Sequence, residues 1–265
     1  MVISSLADIA LLSGQEILRI YGTEFVVETK ADQSPVTLAD VAAEAIIVGA
    51  LRDAYPDIPV VAEEAAAAGR VPHTADQFFL VDPLDGSKEF ISRNGEFTVN
   101  IALIENGEPV AGVVHAPAIG RIWWGGRAQG CFEAEVRDGA RGAARPIAVR
   151  ATEGALCAIG SRSHGSGEGD ARLSRYPIAT YLSAGSSLKF CLVASGKADI
   201  YPRFGRTMEW DTAAGDAILR AAGGRVECLD GSLLRYGKRN QADDTDFANP
   251  HFIAFGDTRF CALAS

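Results

Sequence analysis

At 265 residues, the chain is long enough for one large domain or two small ones around a sizeable core. Hydrophobic residues make up 48% and charged residues 22%, an ordinary soluble composition, and no stretch approaches the ~18 apolar residues of a membrane span. A formal net charge of −9 argues against a broad nucleic-acid footprint, so an anionic ligand would need a local exception, such as a metal or a few placed Lys and Arg.

Ile3, Leu6, Ala10, Ile17 and Tyr21 recur at helical spacing, which predicts an amphipathic helix over residues 3–20. The segment lacks the basic start of a secretory signal, and Asp8 interrupts its apolar run. Thr37 is placed to cap a second helix, one face of which carries Val41, Ala45, Val48 and Leu51, and Tyr55-Pro56 stops it. Ile58–Ala62 and Phe78–Val81 read as short strands. From Phe97 the pattern turns antiparallel: FTVNIALI and PVAGVVHA flank an Asn106-Gly107 hairpin tip, and RIWWGG and GCFEAEV continue the β-rich region. Arg137–Pro146, polar and rich in Gly, Ala and Arg, is expected to join two halves, residues 1–145 and 146–265. Beyond it, strands ALCAIGS, IATYLSA, ADIYP, RVECL and HFIAF alternate with helices at Ser187–Ser195 and over WDTAAGDAILRAA, the latter closed by Gly223-Gly224. RSHGSGEGDAR and Lys238–Asn249 read as loops. Such alternation predicts an α/β half behind a more antiparallel first half. The five cysteines form no CxxC pair and are expected to be buried, reduced thiols of a cytosolic protein. The four histidines are scattered without ligand spacing, so no zinc site is expected. Trp123 and Trp124 are expected in the core or at a subunit contact rather than against a base.

The chemistry gathers on acids that end apolar runs. FFLVDPLDGSKEF (Phe78–Phe90) closes a strand with Asp82 and Asp85; Pro83 restricts the backbone between them, and Gly86 permits a tight turn. If Ser87–Ile91 start a helical turn, the N–H groups of Gly86 and Ser87 point outward, as an anion site requires. Two carboxylates beside such a site make sense around a cation. Mg²⁺ fits, because it takes oxygen ligands and often bridges carboxylates to phosphate. Taken alone, the same stretch reads equally as an Asp-rich turn capping its own backbone. Glu63-Glu64 ends the run IPVVA in paired charge again. Asp211 opens the helix WDTAAGDAIL, where Asp is a common cap, and Thr37-x-x-Asp40 fits a capping box.

In order, ADQSPVTLAD, VVAEE, DPLDGSKEF, NGEFTVNIALI, GSSLKFCLVASG, YPRFG and WDTAAG closely resemble the CysQ-type 3'(2'),5'-bisphosphate nucleotidases of the inositol monophosphatase-like superfamily, over about Leu6 to Phe255. The resemblance implies an α/β (α+β) fold, a layered α/β/α/β/α sandwich with the active site between its halves. It also implies a Mg²⁺-dependent, lithium-sensitive phosphatase. Glu63, Asp82, Asp85, the backbone carbonyl of Leu84 and, from the second half, Asp211 match the metal ligands. Asp40 and Ser87 match the pair that orients and deprotonates the metal-held water, and Gly86 and Ser87 the N–H groups that receive the scissile phosphate. His164, Ser186, Lys189 and Arg203 match residues lining the nucleotide pocket, where a second phosphate wants such donors at a helix start. Two departures matter. Ser87 stands where the family usually has Thr, which keeps the hydroxyl but frees χ1. Ala62 stands where it usually has Ser or Gly, which removes a hydrogen bond behind Glu63.

The activity so implied is hydrolysis of 3'-phosphoadenosine 5'-phosphate to AMP and phosphate, clearing a by-product of sulfate assimilation. Two metals could activate the nucleophile and stabilise the leaving oxygen. The alternative is the same chemistry on inositol monophosphate or fructose 1,6-bisphosphate, which SSLKF and YPRFG argue against. A non-catalytic nucleotide sensor is opposed by the full set of matched carboxylates. The expected partner is a small bisphosphate nucleotide and not a nucleic acid polymer. The expected location is cytoplasmic, with a homodimer and peripheral association with the inner membrane left open.

Overall fold

The computed structural model describes residues 2–24, 26–29, 35–161 and 171–264. Helix α1 (Val2–Tyr21) follows the predicted periodicity. Strands β1 (Val27–Thr29) and β2 (Pro35–Thr37) pair antiparallel and lead into α2 (Leu38–Ala54). Thr37 caps α2 as expected: its hydroxyl accepts from the Ala39 N–H at 3.2 Å, while Asp40 Oδ2 accepts from the Thr37 N–H at 2.7 Å. Of the face marked by Val41, Ala45, Val48 and Leu51, only Leu51 is buried and Val48 is half-buried. Val41 and Ala45 lie exposed; Ala39, Ala43, Ile47 and Leu51 pack inward, together with Asp40 and Glu44. Apolar residues surround this helix, so hydropathy alone does not choose its inner face. Two carboxylates that find donors inside the fold do.

The first sheet takes in β3 (Val60–Ala62), β4 (Gln77–Asp85), β5 (Thr98–Glu105), β6 (Glu108–Ala116), β7 (Arg121–Gly126), β8 (Gly130–Arg137), β9 (Ala140–Arg141) and β10 (Arg145–Pro146). Its order is β10-β8-β7-β6-β5-β4-β3, with β9 folded back on β8. Only β3 and β4 run parallel. The β5–β6 hairpin turns at Asn106-Gly107, whose φ values of 51° and 75° suit a two-residue primed turn. Two short helices, α3 (Glu63–Ala67) and α4 (Ser87–Ile91), follow β3 and β4. The stretch expected as a junction is itself paired: Arg145 and Pro146 lie opposite Glu133 and Phe132. Arg121 and Arg145 both meet the buried Glu133 carboxylate, so this polar stretch forms an edge of the first sheet just before the chain passes to the second.

The second sheet contains β11 (Leu156–Ser161), β12 (Ile178–Ala184), β13 (Ile200–Arg203), β14 (Arg225–Cys228) and β15 (Phe252–Phe255), in the order β12-β11-β13-β15-β14. Its first three strands in that order run parallel and the rest antiparallel. Helices α5 (Leu188–Ala194) and α6 (Glu209–Ala221) lie between the sheets.

Both faces of β4 are buried, which is why it reads as an unbroken apolar run. Phe79 and Val81 share a core with Leu6 and Ile17 of α1 and Ile47 and Leu51 of α2. Phe78 and Leu80 share another with Phe190, Ala213 and Ile218 of the middle helices and Tyr201 and Phe252 of the second sheet. Trp123 and Trp124 are buried, one in each core. The far side of the second sheet (Ala158, Ile200, Ile253, Phe255) packs on Leu173, Tyr176 and Phe260, carried by 3₁₀ turns at Ala171–Leu173 and Thr258–Ala264 and the segment between. The layers run α/β/α/β/α as expected, the last one thin among the described residues. All five cysteines are free; Cys131 and Cys191 are buried and the other three half-buried. Among the described residues, no helix is long and apolar enough to cross a membrane.

Candidate active site

Strand β4 ends in the site. In a regular strand, residues three apart point to opposite faces. Here Asp82 pairs with Asn100 and Asp85 with Thr98, so three steps on β4 span two on β5. The extra residue makes a bulge that accommodates Pro83 and its missing N–H. The bulge resets the alternation, and Asp82 and Asp85 line the same cleft. Asp82 is fully buried, and its Oδ1 accepts from the Leu84 N–H at 3.0 Å. Gly86, at φ 95°, turns the chain into α4. A Cβ there would stand 3.3 Å from Ser186 Cβ and 3.4 Å from the Glu96 carbonyl, besides straining the backbone.

Glu63 is the first residue of α3, a helix that the sequence pattern does not foreshadow. From the other side comes Asp211, on the first turn of α6, where its Oδ2 accepts from the Met208 N–H at 2.8 Å. That helix end is held by Glu209, whose buried carboxylate accepts from the Gly237 and Lys238 N–H groups at 2.6 and 2.9 Å. Carboxylate oxygens of Glu63, Asp82 and Asp211 lie within 4.8 Å of one another. Asp85 lies beside this triad: its Oδ2 is 3.0 Å from Ser187 Oγ and 3.4 Å from Asn100 Nδ2. Ser187 Oγ also stands 2.7 Å from the Asp211 carbonyl and accepts from Asn100 Nδ2 at 3.0 Å. One hydroxyl thus sits between the carboxylate that ends β4 and the Asp211 backbone carbonyl in the first turn of α6, with one proton to give to either. Sequence reasoning did not place Asn100 or Ser187 on this side of the site; the cross-strand register of Asn100 was the signal for the first.

Burial pushes the Asp82 carboxyl well above the usual carboxylate range, and the charges of Glu63, Asp85 and Asp211 push the same way. Asp211 is raised well above that range too, by burial and then by Asp85 and Glu63. Asp85 is raised by burial in spite of Lys189, Ser187 and Asn100, which oppose it. A cluster of this kind is unfavourable by itself and favourable around a cation. Its donors are all hard oxygens, the set a divalent ion such as Mg²⁺ takes.

Across the triad, Ser87 Oγ donates to Asp40 Oδ1 at 3.3 Å and stands 3.5 Å from the Leu84 carbonyl. The other oxygen of Asp40 accepts from both the N–H and the hydroxyl of Thr37, at 2.7 and 2.8 Å. The capping box and the contact with Ser87 therefore coexist on one buried carboxylate.

The cleft encloses about 330 Å³ between the two sheets, and Ser186, Lys189 and Arg203 line its far wall. Lys189 is 5% exposed. Its ammonium donates to the Ala184 and Ser186 carbonyls, which occupies two of its three N–H groups. Burial lowers its pKa to about 8, although Asp85 opposes the shift. Ser186, at φ 41°, spends its hydroxyl proton on the Glu96 carbonyl at 2.9 Å. Arg203 donates Nη2 to the Arg206 carbonyl at 3.1 Å, while its buried Nε has no hydrogen-bond partner among the described residues. His164 lies outside the described residues.

The inositol monophosphatase family model matches residues 2–253. The chain is 43% identical over 253 residues to the 3'(2'),5'-bisphosphate nucleotidase CysQ of Escherichia coli (strain K12), an alignment covering 95% of this chain and 98% of that protein. It is 44% identical over 253 residues, with the same coverage, to the protein of that name from Salmonella typhimurium. Among solved structures, CysQ from Bacteroides thetaiotaomicron, a bacterial member of the inositol monophosphatase family, superposes with a TM-score of 0.75 at 38% identity, covering 96% of each chain.

Proposed function

The chain belongs to the inositol monophosphatase family, and from that premise we infer that it is a 3'(2'),5'-bisphosphate nucleotidase, hydrolysing 3'-phosphoadenosine 5'-phosphate to AMP and phosphate. The observation that carries the chemistry is the convergence of Glu63, Asp82 and Asp211 within 4.8 Å, next to the Ser87–Asp40 pair. The enzyme is a metal-dependent phosphatase, and the all-oxygen donor set supports Mg²⁺ as its ion. Glu63, Asp82 and Asp211, with Asp85 and the Leu84 carbonyl alongside, are the groups that would hold it. A divalent ion so held neutralises phosphoryl oxygens and makes water a better nucleophile at neutral pH.

The chain's own residues do the rest. The N–H groups of Gly86 and Ser87, at the start of α4, receive the scissile phosphate. Ser87 Oγ points its proton at Asp40 Oδ1, so it can take a proton from the attacking water as its own passes to Asp40. Thr37 fixes Asp40 through two donors, which keeps the receiving oxygen turned toward Ser87. On the far wall, the unpartnered Nε of Arg203 and the remaining N–H of Lys189 support recognition of the second phosphate. His164 and Ser186 stay in the proposed nucleotide pocket. In this reading the first half, residues 1–145, supplies Asp40 through Ser87, and the second half, 146–265, supplies Asp211 and the nucleotide side. A cytoplasmic location belongs to the same proposal and is supported by five free thiols.

The test is phosphate release from 3'-phosphoadenosine 5'-phosphate, inositol monophosphate and fructose 1,6-bisphosphate, each with Mg²⁺ and with a chelator. Turnover of the first well above the others, and only with the metal, is the expected result. A preference for either of the others would overturn the substrate assignment, and turnover in chelator would overturn the metal assignment.

A further inference from the structure

Helix α3 begins without a cap of its own. Its N-cap residue is Ala62, which has the extended backbone of an N-cap (φ −123°, ψ 146°) and no side-chain hydrogen bond to give. A Ser or Asn at such a position accepts from the second and third N–H groups of the helix. In α3 those are the N–H groups of Glu64 and Ala65. Both are taken by one residue from another helix: Glu44 Oε2 accepts from the Glu64 N–H at 2.7 Å, and Oε1 from the Ala65 N–H at 2.9 Å. Glu44 is 8% exposed. It stands four residues after Asp40, one turn along the inward face of α2.

We propose that Glu44 is a positioning residue for Glu63, capping α3 from α2 in place of the hydroxyl that Ala62 lacks. Glu63 is the first residue of α3, so the cap on the next two N–H groups fixes the turn from which its carboxylate reaches Asp82 and Asp211. Helix α2 thereby places two carboxylates at once: Asp40 against Ser87, and Glu44 behind Glu63. A rotation or slide of α2 would disturb the proton-accepting pair and the metal triad together. This inference rests on the reading of the triad as the Mg²⁺ site.

The test measures Mg²⁺ affinity of the full chain by calorimetry without substrate, in the wild type, Glu44→Gln, Glu44→Ala and Glu44→Ala with Ala62→Ser. Glu44→Gln keeps the volume and one acceptor but turns an amide N–H toward a backbone N–H. Both single variants are expected to bind Mg²⁺ roughly 10-fold more weakly or worse, the usual range for losing a partner behind a metal ligand. KM for the bisphosphate nucleotide at saturating Mg²⁺ should stay within about twofold, because Glu44 touches no substrate. Ala62→Ser should restore much of the affinity lost in Glu44→Ala, since its hydroxyl serves the same two N–H groups. Wild-type Mg²⁺ affinity in Glu44→Gln overturns the proposal, as does failure of Ala62→Ser to restore it in a folded Glu44→Ala chain. If Glu44→Ala does not fold, Glu44→Gln decides. A wild-type chain that takes no Mg²⁺ overturns the metal reading, and this inference with it.

Discussion

Asp82→Asn should make the metal-free protein more stable while abolishing its activity. Asp82 is fully buried, and its oxygens lie within 4.8 Å of those of Glu63 and Asp211. At that separation, and at an effective dielectric of about 20, each like-charge pair costs about 3.5 kcal/mol. Two such pairs overstate the total, because the carboxyl can escape by taking a proton. From its ordinary value of 3.8, protonation at neutral pH costs about 4 kcal/mol, which bounds the strain. Asparagine removes the charge and keeps the Oδ1 that accepts from the Leu84 N–H. A gain of roughly 1–4 kcal/mol follows, an upward Tm shift on the order of 5 °C for a chain of this size. Differential scanning calorimetry in EDTA and in saturating Mg²⁺ makes the comparison. The wild type should gain about 2.7 kcal/mol at a hundredfold excess of Mg²⁺ over its Kd, and the variant should gain little. The sign with pH follows from linkage: a carboxyl raised in the folded state stabilises that state at low pH and loses the contribution as pH rises. The variant's advantage should therefore shrink as the pH falls toward about 4. A variant less stable than the wild type in EDTA, or one that keeps the full Mg²⁺ shift, would refute the view that these acids converge in order to hold a cation.

Ser87→Ala should lower kcat by on the order of 10²-fold with little change in KM, and Ser87→Thr should be at least as active as the wild type, because the methyl restrains χ1; wild-type kcat in Ser87→Ala would reduce the hydroxyl to a turn group. Lys189→Ala should weaken the bisphosphate nucleotide by roughly 1.5–3 kcal/mol and a monophosphate by much less. Equal losses on both substrates would leave Lys189 as a clamp on the Ala184 and Ser186 carbonyls alone. His115 is buried, accepts no proton readily and has its pKa lowered from 6.5 to about 4, chiefly by burial. The unfolded chain therefore binds that proton between about pH 6.5 and 4 while the folded chain does not, so in urea unfolding the wild type should lose up to roughly 3 kcal/mol relative to His115→Gln as the pH falls through that window, on top of the opposite contribution of the raised Asp82, Asp85 and Asp211 carboxyls. A His115→Gln chain whose stability follows the same pH dependence as the wild type would refute this.

Local signals in the sequence were reliable where one short stretch decides the structure. The α2 cap at Thr37, the Asn106-Gly107 hairpin and the turn of α4 at Ser87 all formed where their residues call for them. What could not be seen was geometry set by two distant segments. Asp82 and Asp85, three apart, would face opposite ways in an unbroken strand, and only the register against β5 shows the bulge that aligns them. The apolar face read for α2 coincides with its inner face only at Leu51, because apolar residues surround the helix and two of its buried residues are acids. Two of the donors for Asp40 lie three residues before it, on Thr37, but Ser87 is 47 residues away, and the donors for Glu44 belong to α3, twenty residues on. Lys189 was legible as a cation near the pocket, while its use by the Ala184 and Ser186 carbonyls depends on how the chain turns ahead of α5.

Repulsion among the acids would be expected to push α6 away from β4, and the packing of α6 explains why it does not. Glycines bring that helix to backbone contact with the first sheet: a Cβ on Gly112 would come 2.5 Å from the Ala214 carbonyl, and one on Gly125 3.0 Å from Ala221 Cβ. Within the middle layer, a Cβ on Gly215 would overlap the Phe190 side chain at 2.5 Å. These contacts lie up to three turns from Asp211, in a close-packed apolar core where a shift of the helix would open voids and forfeit dispersion energy. Beyond them, the buried Asp216 accepts from Arg220 and from the Tyr236 hydroxyl, which fixes the helix against the loop after β14. The position of Asp211 is thus set by packing that the charges do not touch. The strain in the site can be relieved by a proton or by a cation but not by movement. A divalent ion held by these acids would then require little reordering of the chain, and most of the electrostatic gain would appear as affinity.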